Sequence, residues 1–181
     1  DRWTIQDGGA IRWSINDNIP HDDHLEMSGQ QLSVVLRYGV DAQKRFHLNR
    51  SLVFPMLRMH PTKTQNNLKQ RFDVNIPALV TVDDQTLLNE EVRDVTFNGI
   101  MRVESSFGYI YRRKELKDAV QLTRVLYPST NAAHYCEEYT FKNSSPNQIT
   151  LRVPEWNVTY TTPEEAGVYG AYCIEAALSK S

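Results

Sequence analysis

Residues 32–54 read Leu-Ser-Val-Val-Leu-Arg-Tyr-Gly-Val-Asp-Ala-Gln-Lys-Arg-Phe-His-Leu-Asn-Arg-Ser-Leu-Val-Phe. Leu32, Val34, Leu36 and Tyr38 occupy every second position, and Phe46, Leu48, Arg50, Leu52 and Phe54 continue the pattern. A strand shows one face every second residue whereas a helix shows it every third or fourth, so this period predicts two strands. The polar stretch 41–44 between them reads as the turn of a hairpin. Pro55, with no N–H for a ladder, reads as the end of the second strand.

Working outward, the same period recurs. Val95, Phe97, Gly99 and Met101 lead through Val103 to Phe107, Tyr109 and Tyr111. Val120, Leu122, Arg124 and Leu126 form another set, and Ala133, Tyr135, Glu137, Tyr139 and Phe141 the next. Ile149, Leu151 and Val153 precede Pro154, with residues 143–147 expected as the hairpin turn before them, and a last strand is expected over 168–178. Short helical turns are expected at 66–72 and 84–92, and a short connector at 114–119. Strand candidates every ~10–15 residues without long helices between them define an all-β protein, a large antiparallel β-sandwich with few short helices, and exclude a doubly wound α/β fold. A chain of 181 residues fits one sandwich domain over 1–181.

Composition narrows the partners. The net charge is −2 and the basic residues are scattered, apart from Arg112, Arg113 and Lys114, so no phosphate-neutralising face for nucleic acid is expected. The apolar runs fall far short of the ~20 residues of a membrane helix, so no membrane span is expected. The chain opens at Asp1 without a basic or apolar leader, as a trimmed or mature sequence does. Cys136 and Cys173 lie in strand-like stretches; they allow one disulfide without requiring it, and a buried pair of free thiols is the first expectation. Three Asn-x-Ser/Thr patterns, at Asn49, Asn143 and Asn157, matter only in a eukaryotic secretory pathway.

Several stretches carry a resemblance. Ile-Pro-His-Asp-Asp-His-Leu-Glu-Met-Ser-Gly ending at Gly29, Leu-Arg-Tyr-Gly-Val-Asp ending at Asp41, Leu-Asn-Arg-Ser-Leu-Val-Phe-Pro-Met-Leu-Arg ending at Arg58, and Cys-Glu-Glu-Tyr-Thr-Phe-Lys-Asn-Ser-Ser from Cys136 follow in order. The chain resembles, over nearly its whole length, the N-terminal β-sandwich of bacterial six-hairpin glycosidase-like proteins, especially those of gut Bacteroidetes. The resemblance implies a galactose mutarotase-like supersandwich that precedes an (α/α)6 barrel carrying the general acid and base. Such a barrel needs roughly 300 or more residues, so the implied role is a non-catalytic domain of a glycoside hydrolase-like parent. Implied with it are a carbohydrate ligand, the catalytic barrel of the same parent as partner, and a periplasmic or secreted location. A free-standing carbohydrate-binding module is the alternative. No cofactor, no metal and no catalytic residue is expected within the chain itself.

The densest chemistry lies in residues 21–29, His-Asp-Asp-His-Leu-Glu-Met-Ser-Gly, with two histidines and three carboxylates in six positions. If extended, Asp22, His24 and Glu26 share one face, and His21, Asp23 and Leu25 the other. That division separates His21 from His24 and argues against zinc or iron, which need converging ligands. Pro20 and Gly29 bracket too few residues for a helix that would reunite them. An imidazole between carboxylates suits a sugar hydroxyl or a proton relay, and the ordinary alternative is a hydrogen-bonded turn or an interface strip. A small sandwich enzyme using Asp22, His24 and Glu26 is the third reading. Glu137 and Glu138, being adjacent, face opposite ways, one inward and hydrogen-bonded, the other solvated. Among Trp3, Trp13 and Trp156, the last follows Pro154-Glu155 in a strand-ending loop and is the candidate sugar platform. No nucleophile elbow, phosphate loop or dinucleotide fingerprint occurs, and Ser28 before Gly29 lacks the elbow context.

Overall fold

The computed structural model describes residues 2–62 and 66–179. In chain order its strands are β1 Thr4–Ile5, β2 Ile11–Ser14, β3 His21–Ser28, β4 Ser33–Val40, β5 Phe46–Arg58, β6 Asn67–Phe72, β7 Thr81–Val82 and β8 Gln85–Thr86. They continue with β9 Leu88–Phe97, β10 Met101–Tyr111, β11 Lys114–Pro128, β12 Tyr135–Asn143, β13 Leu151–Arg152, β14 Asn157–Thr161 and β15 Cys173–Ala177. A six-stranded sheet has the order β1-β2-β9-β10-β11-β12 and a four-stranded sheet the order β3-β4-β5-β6. Two small sheets, β13-β7-β8 and β14-β15, complete the chain. The pairings are antiparallel, so the fold is all-β and sandwich-like, as the period of two requires.

The core forms where the two larger sheets bury their apolar faces. Val34 and Leu36 of β4 share a fully enclosed cluster with Val95 of β9 and Met101 and Val103 of β10. A second cluster, with Tyr109, Val120 and Leu122, fills the far end of β10 and β11 under Val82. Burying each such side chain contributes about 1.5–3 kcal/mol relative to leaving it in water, which outweighs any local preference for turn or helix.

That competition explains where the local reading fails. The expected helical turns at 66–72 and 84–92 are instead occupied by β6, by β8 and by the start of β9. Leu68 and Phe72 are four apart, a spacing that puts two residues on one face of a helix and equally on one face of a strand, and the ladder to β5 decides for the strand. Residues 114–119 belong to β11 because Arg112 and Arg113, with φ of 48° and 69°, make a two-residue hairpin turn that leads straight into it. Helical structure among the described residues is confined to two 3-10 turns, Ile76–Leu79 and Glu164–Ala166.

Pro55 does not end β5. The ladder to β6 slips there, from Phe54 opposite Leu68 to Arg58 opposite Asn67, and this bulge places the exposed proline where no N–H is called for. Gly99, at φ 100°, turns the chain between Phe97 and Met101, which pair with each other. The 143–147 turn forms, with Ser145 N–H donating to Asn143 Oδ1 at 2.9 Å, but it does not join neighbours, because β13 pairs with β7. The last strand is limited to β15, whose partner is β14; residues 167–172 are a tight loop in which Tyr172 donates its hydroxyl to the Arg58 carbonyl at 2.6 Å.

Candidate functional site

The charged cluster lies on β3, an edge strand, paired from His21 opposite Val40 to Ser28 opposite Ser33. The strand divides it as expected: Asp22, His24 and Glu26 are exposed, whereas His21, Asp23 and Leu25 turn toward the body. His21 meets the Trp13 ring edge-on, with centroids 5.0 Å apart. Its Nδ1 accepts from Arg2 Nη1, and Arg2 also lies 5.4 Å above Trp13. Asp23 Oδ2 stands 3.5 Å from His21 Nε2 without the alignment of a hydrogen bond.

On the outer face, Asp22, Gly39 and His47 are cross-strand neighbours on β3, β4 and β5. Asp22 Oδ1 reaches His47 Nε2 at 2.5 Å. A Cβ on Gly39 would lie 2.2 Å from that oxygen and 2.4 Å from the imidazole, so the bare backbone there is what lets the pair close over β4. The next row is His24, Arg37 and Asn49, and Asn49 donates to Asp73 at 2.9 Å. Glu26 accepts from Ser28 at 3.3 Å. Among the described residues no three of His, Cys, Asp and Glu converge on a metal position.

An edge strand exposes unpaired N–H and C=O groups, and charged side chains, inward ones included, discourage another chain from adding to it. The density of residues 21–29 therefore has a structural reason independent of any ligand.

A cleft of 770 Å³ lies elsewhere, between β5, β12 and the β14-β15 hairpin. Trp156 lines it, half-buried, together with Leu52, Phe54 and Phe72. Its deepest polar groups are Arg50 and Glu137, with side chains 5% and 13% exposed. Arg50 grips the carboxylate with two prongs, Nε to Oε1 and Nη2 to Oε2 at 2.8 Å. Its Nη1 donates to the Val74 carbonyl at 2.9 Å, and the Tyr139 hydroxyl donates to Glu137 Oε2 at 2.6 Å. Burial opposes the Arg50 charge, yet Glu137 more than restores it and the pKa lies above the ordinary value. Burial first and the Glu137 charge second raise the Tyr139 and Tyr135 hydroxyls. The Tyr135 hydroxyl is buried without an aligned partner.

Both Glu137 oxygens accept hydrogen bonds, and Arg50 directs donors to Glu137, Val74 and Tyr139, so the two side chains are held chiefly by each other. Glu137 inward and Glu138 exposed match the expectation; Glu138 accepts from the Tyr127 hydroxyl at 2.6 Å. The cysteines are free, but Cys136 is half-buried and Cys173 exposed, so burial of the pair is corrected: Cys173 is the first residue of β15 and points away from the core. Arg50 and His47 were not expected at a site. Arg50 had a signal, a charged residue on the apolar face of β5 matched by Glu137 on the inward face of β12.

Compared with protein families, curated proteins and solved structures, the chain matches none. No helix among the described residues is long and apolar enough to cross a membrane.

Proposed function

We propose that the chain is a non-catalytic β-sandwich of a larger, periplasmic or secreted bacterial glycoside hydrolase-like protein, packing against an (α/α)6 catalytic barrel and lending Trp156 to its carbohydrate cleft. The observation that carries the non-catalytic reading is the occupation of Glu137. General acid–base hydrolysis needs a pair of carboxylates across the bond, ~5–5.5 Å apart for retention or ~6.5–9.5 Å for inversion, with one able to give up a proton. Glu137, deep in the cleft, is tied to Arg50 and Tyr139 instead. The outer strip of Asp22, His24, Glu26, Arg37 and His47 supports packing on a polar partner surface.

The test is calorimetric titration of this chain with a glycan panel, alongside a hydrolysis assay on aryl glycosides. The accessory reading expects little or no affinity and no turnover. Saturable glycan binding by the chain alone would replace it with the free-standing module. Turnover lost on His24→Ala would establish the enzyme reading in its place.

A further inference from the structure

Two strand edges open onto the same cleft. Among the described residues β12 is the last strand of its sheet and pairs only with β11, and β15 pairs only with β14. A strand presenting a face to a cavity contributes every second residue. Here the lining takes Tyr135, Cys136 and Glu137 in succession at the start of β12 and every residue of β15 from Cys173 to Ala177, so β15 along its length and β12 at its start turn an edge inward. Such an edge offers the N–H and C=O groups of alternate residues to an incoming chain. The contrast with β3 is direct, since that edge alternates inward and outward charge, whereas the inward charge of β12 is neutralised by Arg50.

We propose that the cleft receives an extended polypeptide segment of a partner, which adds to β12 as a further strand while β15 forms the opposite wall. Its side chains are constrained by what they would meet. Positions facing the body lie over Leu52, Phe54 and Phe72 and call for apolar residues. Positions facing solvent pass between Glu138 of β12 and Glu175 of β15, both exposed, and call for Lys or Arg. The partner segment is thus an alternating apolar and basic strand. The inference rests on the cleft being a binding site and not a catalytic one.

The probe is a capped Lys-Ile-Lys-Ile-Lys-Ile-Lys peptide, titrated into the full chain with calorimetry and amide hydrogen exchange. Saturable binding is expected, with exchange slowed along β12. Of two peptides N-methylated on odd or even amides, at least one is expected to bind about tenfold more weakly, the loss of a few net hydrogen bonds. The Glu138→Lys, Glu175→Lys double variant, its fold checked by circular dichroism, is expected to bind several-fold more weakly in low salt. The proposal is overturned by absence of saturable binding, by protection that omits β12, by two N-methylated peptides that match the parent, or by an unaffected charge-reversed variant. A glycan that protects β12 when the peptide does not also overturns it and replaces the accessory reading with the free-standing module; failure of the peptide with no glycan binding overturns strand addition alone.

Discussion

Replacing Glu137 by Gln retains the shape of the side chain and removes the charge that Arg50 needs. The pair is closed off from water, 5% and 13% exposed, and Arg50 has no second carboxylate among its hydrogen-bond partners. Breaking a buried pair from one side leaves a desolvated charge and costs ~3–5 kcal/mol. The Gln carbonyl still accepts one bond, which places the expected loss near ~3 kcal/mol. Against a total stability of ~5–15 kcal/mol that is a large fraction. In urea unfolding at pH 7, with m of about 2 kcal/mol/M, the midpoint should fall by about 1–2 M with m unchanged. Arg50→Met combined with Glu137→Leu removes both charges and should recover to within ~1 kcal/mol of the parent, because neither ion then has to be dehydrated. As a control, Arg93→Ala breaks the Arg93–Asp118 pair at 2.8 Å, whose side chains are 53% and 55% exposed, and should change stability by no more than ~1 kcal/mol. A loss under ~1 kcal/mol for Glu137→Gln, or a double variant as damaged as the single one, would refute the reasoning.

Two glycines separate soft from hard obstruction. In Gly29→Ala the new Cβ would lie 1.9 Å from the Ser129 carbonyl oxygen, a backbone atom that cannot swing aside, so thermal unfolding should report a loss of ~1–3 kcal/mol. Gly39→Ala meets only the tips of exposed Asp22 and His47; it should cost less than ~1 kcal/mol and separate the pair, visible as altered His47 ring shifts. Asp118 is held below the usual carboxylate range first by the Ser106 hydroxyl and then by Arg93, with burial pulling the other way. A depressed folded pKa contributes stability above the unfolded value of about 4 that is lost as pH falls through the folded one. Asp118→Asn should therefore flatten the stability curve below about pH 4, and an acid limb identical to the parent's would show the contacts are ineffective. Thiol labelling of the native chain should modify exposed Cys173 faster than half-buried Cys136; equal rates would contradict the burial of β12.

Local order was legible wherever one periodicity left no competitor. The runs at Leu32–Leu36, Val120–Leu126 and Tyr135–Phe141 show alternation longer than any helix face could mimic, and they are β4, β11 and β12. Leu68 and Phe72 misled because a spacing of four satisfies both periods. β14 went unnoticed because Val158 and Tyr160 are its only inward apolar residues.

The faces of β3, and Glu137 inward with Glu138 outward, follow from the pleat of a single strand, so the sequence alone determined them. What joins those faces to partners does not. Arg50 and Glu137 are separated by 87 positions, and Asp22 meets His47 only across Gly39. The cleft exists because β12 ends its sheet beside β5 and the β14-β15 hairpin. Alternation is a property of one backbone, whereas register and sheet order depend on burial summed over distant strands, where a slip of one residue would reverse every face. The tertiary structure therefore moved the candidate site from the conspicuous charges of β3 to the cleft along β12.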